Sequence, residues 1–207
     1  MTAMLTGVKR ALSRPTFIGW LIGMATAGLI GLGLALLIIF GGIYNTAASS
    51  PHFKLIAWAA HTTMLNSVSH RSSGPGPGPI TDAGFWSGAR EYEEHCIACH
   101  GGPGIARAPW VRAMLPTPPF LIDARTRWSR AELRVVVRDG VKMSAMPAWG
   151  EVLPARKIDD LVDFLEVSPN LTVAQFDRVR QRVRAQADSA VGAPGSPGTP
   201  SPSTSTR

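Results

Sequence analysis

The strongest feature of the hydropathy pattern is Phe17 to Phe40, twenty-four consecutive residues without a charge, FIGWLIGMATAGLIGLGLALLIIF. As a helix rising 1.5 Å per residue, this run covers roughly 36 Å, enough for a hydrocarbon core of about 30 Å. A helix is the form in which a lone span satisfies its own backbone polar groups in lipid. Residues 17–43 are therefore expected to form a transmembrane helix, with Trp20 and Tyr44 near its ends. A different periodicity follows in residues 51–71, PHFKLIAWAAHTTMLNSVSHR. There Phe53, Ile56, Ala57, Ala60, Met64 and Val68 recur at three- and four-residue spacing, which predicts an amphipathic helix. Ser50 is available as its cap and Pro51 suits its first turn. Such a helix has two uses, a docking surface for a partner subunit or a surface lying in the bilayer interface.

Alternating Gly and Pro in residues 72–80 resist both helix and strand and mark a linker. Helical signals then return in residues 81–167. Thr81 or Asp82 opens a helix that runs toward Cys96. Ser129-Arg130-Ala131-Glu132 is a capping box, and Gly140 is a suitable stop for the helix it starts. A third helix runs from about Pro154 to just before Pro169, with Ile158, Leu161, Val162 and Leu165 as its apolar stripe. Residues 168–207 are a tail. Between Leu171 and Asp188, Val173, Phe176, Val179 and Val183 share one side and four arginines give a basic flank. A solvated tail helix is the expectation there, with disorder from about residue 190, where Gly, Pro, Ser and Thr dominate.

Charge changes this picture in one respect. Residues 1–80 carry five basic residues and no acidic one, whereas residues 81–167 are close to neutral with 11 basic and 12 acidic. The overall charge of +7 therefore belongs to the two ends of the chain. A nucleic-acid binder is expected to place its basic face on the folded domain, so no nucleic-acid partner is expected. Basic ends beside an apolar run suit an anionic membrane surface. Lys9, Arg10 and Arg14 precede the apolar run, which places the N-terminus in the cytoplasm and the rest outside. A cleaved signal peptide is the competing reading. The run is longer than a usual signal core, however, and the first small-residue site, Thr46-Ala47-Ala48, comes late. His52, His61 and His70 lie nine residues apart, so successive rings fall on opposite helix faces. They cannot form one ligand set on one straight helix and are expected to face solvent or headgroups.

The chemistry is concentrated in Cys96-Ile97-Ala98-Cys99-His100, which holds both cysteines of the chain. C-x-x-C-H is the attachment signature of c-type haem. Two sulfurs three residues apart reach the two vinyl groups on one edge of a porphyrin. The following histidine then lies under the iron as a ligand. A thioredoxin-like motif needs a preceding strand, and a zinc site needs further ligands at matching spacing; neither is present in the sequence. The sixth ligand has two candidates in Met143 and Met146. A thioether opposite a histidine raises the reduction potential. Met146 precedes Pro147, which stiffens the loop.

These residues resemble the class I c-type cytochromes, over about residues 81–167. Gly88, Tyr92 and Cys96-x-x-Cys99-His100 are similar to that family's first helix, and Leu161 and Phe164 to the partner positions on its last. Met146-Pro147-Ala148 is similar to its axial-methionine loop, and Pro116, Met143, Pro147 and Trp149 to pocket positions. Leu115-Pro116-Thr117-Pro118-Pro119, Arg127-Trp128-Ser129 and Lys142-Met143 resemble single-haem, membrane-tethered bacterial members, from which Phe120 departs. The resemblance implies an all-α fold, a small cytochrome c-like haem domain behind one N-terminal transmembrane helix. It implies one covalent haem c held by Cys96 and Cys99, with His100 and Met146 as axial ligands, and a proline carbonyl orienting the histidine. Pro109 and Pro116 are the candidates for that carbonyl. The implied function is electron transfer without catalysis, in the bacterial inner membrane with the haem domain in the periplasm. The implied partners are redox donor and acceptor proteins of the respiratory membrane. A fixed subunit of a larger dehydrogenase or oxidase complex is the principal alternative, ahead of a peroxidase or a sensor.

Overall fold

The computed structural model describes residues 14–74, 76–120 and 127–191. Lys9, Arg10, Pro75 of the linker and the tail from residue 192 lie outside the described residues. Among the described residues the chain is all-α: α1 (Arg14–Phe40), α2 (Lys54–Arg71), α3 (Asp82–His95), the single turn α4 (Ile97–His100), α5 (Arg130–Asp139), α6 (Ala155–Val167) and α7 (Val173–Val191). Short 3-10 turns occupy Pro109–Ala113, Trp149–Glu151 and Ser168–Asn170. The chain divides into two units, Met1–Ser50 and Pro51–Arg207.

The first unit contains α1. From Pro15 to Phe40 its mean hydropathy in the best window is 2.3, and it is the one helix among the described residues long and apolar enough to cross a membrane. All its described side chains are exposed, so no protein core accounts for its apolar composition.

In the second unit, α3 and α6 cross closely and carry the core. Thr81 caps α3 by accepting from the Gly84 amide at 3.0 Å. Gly88 stands at the crossing: a Cβ there would collide with the Asp160 carbonyl and meet the Phe164 Cβ at 2.9 Å. Tyr92 packs on Phe164 with ring centroids 5.0 Å apart, within the favourable range for aromatic pairs. Leu161 and Ile158 of α6 and Leu133 and Val137 of α5 join this core. The predicted capping box at Ser129 is present, with Ser129 N donating to the Glu132 carboxylate at 2.9 Å and the Glu132 amide to the Ser129 hydroxyl at 3.3 Å. Asp163 ties three elements, accepting from Arg130 of α5 at 2.7 Å and from the Thr81 amide at 3.2 Å.

Two helices differ from expectation. α2 begins at Lys54 with Phe53 at its cap position and no side-chain cap, while the Ser50 amide closes a turn onto the Ala47 carbonyl at 3.0 Å. Its apolar stripe is divided. Val68 is fully buried and Met64 and Leu65 are half-buried, whereas Phe53, Leu55, Ile56 and Trp58 are exposed. α7 is not a solvated tail helix. Phe176 is 1% exposed, and Val179 and Val183 are buried with it in the main core. Its basic flank is drawn in as well, because Arg180 makes two bonds to Glu93 of α3 at 2.8 and 3.0 Å. Arg182 lies 4.1 Å over the Trp86 ring. An apolar stripe marks a face that something covers without saying what, and here the α3–α6 core covers it.

Candidate haem site

Cys96 ends α3, and α4 turns immediately after it. The amides of Cys99 and His100 both donate to the Cys96 carbonyl, at 3.1 and 2.9 Å, so the five motif residues form one tight turn. Gly101 follows at φ +64, in the left-handed region that glycine enters without strain. The Tyr92 hydroxyl donates to the Gly101 carbonyl at 2.8 Å. A Cβ on Gly102 would strike the Phe176 ring, so α7 backs the turn directly.

The thiols are free and half-buried. Burial, then the neighbouring Cys99 and Glu91 charges, push the Cys96 thiol up to about 12. A protonated thiol at neutral pH is a poor nucleophile, unlike the activated thiolate of a redox C-x-x-C.

His100 Nδ1 lies 2.9 Å from the Pro119 carbonyl oxygen. A carbonyl only accepts, so Nδ1 carries the proton. Burial, together with the Arg107 charge, lowers the pKa of the ring against the opposing effect of that hydrogen bond. The imidazole is therefore neutral at pH 7, and Nε2 keeps its lone pair for a metal. The orienting proline is thus Pro119, neither Pro109 nor Pro116. Any residue supplies a carbonyl, and the path of the loop decides which one arrives. Arg107 holds that path by donating to the Pro118 carbonyl while its guanidinium lies 4.5 Å over the Phe120 ring. Phe120, the departure noted in the sequence, is the platform for this clamp.

The methionine loop has its own frame. The Val141 amide donates to the Met146 carbonyl at 3.2 Å, and the Met146 amide donates to the Ser144 hydroxyl at 3.1 Å. Gly140, at φ +64, lies so close to this loop that a Cβ would meet the Pro147 carbonyl at 2.6 Å. Met143 takes a left-handed conformation at φ +60 and is 75% exposed. It stands outside the cleft, contrary to its expected place as a pocket residue. Trp149 packs against His95 with centroids 4.9 Å apart and the rings tilted by 36°.

Cys96, Cys99, His100 and Met146 come together around one cleft of about 270 Å3. Pro116, Pro147 and Trp149 line it too, as does Trp128. Two thiols, an imidazole nitrogen and a thioether around a mainly apolar cleft form the donor set that a covalently attached porphyrin needs, and the residues fit that group. His61 and Met64 of α2 also line the cleft. The sequence leads His61 to be expected facing solvent or headgroups; it is largely exposed and yet borders the cleft, because α2 docks alongside α5.

Residues 85–165 match the family described as cytochrome c oxidase, cbb3-type, subunit III. This stretch is a cytochrome c domain. A cytochrome c domain implies haem-based electron transfer, and the cleft lies almost wholly within the matched residues. α2 and α7 lie outside them. The search of curated proteins and the search of solved structures each gave no match.

Proposed function

We propose that the chain is a membrane-anchored electron carrier of the periplasm, holding one covalent haem c through Cys96 and Cys99, with His100 Nε2 and Met146 Sδ as axial ligands. The bound group supplies a one-electron ferrous–ferric couple. The protein's part is positional. The Pro119 carbonyl fixes the tautomer and ring plane of His100, and the Arg107–Phe120 clamp holds that carbonyl in place. Ser144 and Gly140 set the Met146 loop. His100 and Met146 would hold the iron of the bound group from both sides and leave no open position for substrate, which favours transfer over catalysis. α1 is read as the anchor, with the basic N-terminus on the cytoplasmic side. Tethering then keeps the local concentration of redox partners in the respiratory membrane high. The observation that carries this reading is the convergence of Cys96, Cys99, His100 and Met146 on one cleft.

Visible and near-infrared spectra of the purified protein test it, for the natural sequence and Met146→Ala. Loss of the sulfur-to-iron band in the variant, with new carbon monoxide binding, is the expected result. An unchanged band overturns Met146 as ligand, and ready carbon monoxide binding by the unsubstituted protein overturns the carrier reading. A second reading, a fixed subunit of an oxidase complex, is favoured by the matched family and by the exposed Phe53, Leu55, Ile56 and Trp58 at the start of α2. Co-purification in mild detergent with a stoichiometric partner selects it.

A further inference from the structure

α2 lies outside the matched cytochrome c stretch, yet two of its side chains reach the cleft. His61, Met64, Leu65 and Val68 fall at positions i, i+3, i+4 and i+7, one face of the helix. Val68 is buried and Met64 and Leu65 are half-buried. The helix packs along α5, and its C-terminal end is fixed there by Arg71, which donates to Asp139 at the end of α5. This docking leaves the middle of α2 at the cleft, where His61 and Met64 share the lining with His100 and Met146.

We infer that α2 is a working part of the haem site, with Met64 and His61 as cofactor-contacting residues that shield the cleft from water and from outside ligands. The inference rests on the haem reading above. Its physical basis is twofold. Ferric haem carries one more positive charge than ferrous haem, so excluding water from the cleft disfavours the ferric state and raises the reduction potential. A covered cleft also restricts entry of a competing ligand to the iron. The helix that leads from the anchor toward the cytochrome c domain therefore tunes the site as well as connecting to it.

The experiment uses the full chain in detergent, with Met64→Ala combined with His61→Ala. Alanine keeps the helix propensity, and neither side chain is in the core. Haem content is read from the pyridine haemochrome spectrum, the potential by redox titration, and access by imidazole binding to the ferric protein. The expected result is full haem content, an unchanged sulfur-to-iron band, a lower potential and imidazole affinity raised about ten-fold. Arg71→Ala frees the far end of α2 without touching the cleft and should shift both readouts in the same direction by less. Thr63→Ala, on the exposed side of α2, should shift neither. Unchanged potential and imidazole affinity in the double variant overturn the role of α2 and leave the haem reading intact. Absence of haem from the unsubstituted chain overturns both.

Discussion

α2 and α7 flank the cytochrome c stretch on its two sides in sequence, and they are attached by different physics. α7 inserts Phe176, Val179 and Val183 into the core shared by α3 and α6, while Val173 at its start stays exposed. Burial of side chains of this size contributes about 1.5–3 kcal/mol each. Glu93 then receives Arg180 and Arg184 from the same helix, with Arg180 mostly buried. α2 buries only Val68 completely and adds one partly exposed ion pair, while much of its apolar surface stays in the open. One helix is thus part of the fold. The other is held at the edge of stability, which is where movable or partner-responsive elements are drawn from.

The sharpest way to break this contrast is Phe176→Ala. The ring is fully buried, touches the core and backs Gly102 just after the C-x-x-C-H turn. Loss of about 3–5 kcal/mol in global stability is expected, measured by denaturant unfolding. Because the ring backs the C-x-x-C-H turn, a lower yield of covalent haem should accompany it if that turn is the attachment site proposed above. A loss below about 1 kcal/mol would mean that α7 is a peripheral helix like α2.

Val68→Ala is the matching substitution on α2. Truncating a buried valine costs about 1–3 kcal/mol at its own site. Here the cost should appear locally: hydrogen exchange across residues 54–71 rises while the global unfolding midpoint hardly moves. An equal loss of protection in α3 and α6 would show that α2 unfolds only with the core, and the contrast with α7 would fail.

The same contrast marks what is legible in the sequence. Local devices are legible because they depend on neighbours within one turn: the Ser129–Glu132 box, the Thr81 cap, the glycine stop at Gly140. The close α3–α6 crossing at Gly88, Tyr92 and Phe164 comes only through the resemblance to class I c-type cytochromes, since no local pattern says which two helices meet. Relations set by the path of a long loop are not legible. Pro119 was indistinguishable from Pro109 and Pro116, because the bond comes from a backbone carbonyl. Met146 is singled out by the following Pro147 and by the resemblance, but the left-handed turn at Met143, φ +60, which turns that side chain out of the cleft, has no local signature. The periodicities of α2 and α7 read alike, since amphipathicity records that a face is covered and not what covers it. Asp163 gave no signal, for its value lies in Arg130 and Thr81 arriving from elsewhere.

The smallest expected effect concerns the ion pair that closes α2 onto α5. Asp139 is held below its ordinary value of 3.8, first by its hydrogen bonds from Arg138 and then by the nearby charges of Arg138, Arg71 and Arg134. A carboxyl whose pKa is lowered by folding contributes stability above its unfolded value, and that contribution is lost as the pH falls through the folded value. The Arg71–Asp139 link is therefore constant from neutral pH down to about 4, the ordinary aspartate pKa, and weakens only below it. Both side chains are partly exposed, so the pair is worth no more than about 1 kcal/mol. Asp139→Asn should accordingly lower the exchange protection of α2 by two- to five-fold at pH 7, within that same limit of about 1 kcal/mol. It should also leave less additional loss in acid than the unsubstituted protein shows. A fall in α2 protection between pH 7 and 5 that Asp139→Asn abolishes would require a carboxyl with a raised pKa. It would therefore contradict the environment the three arginines create.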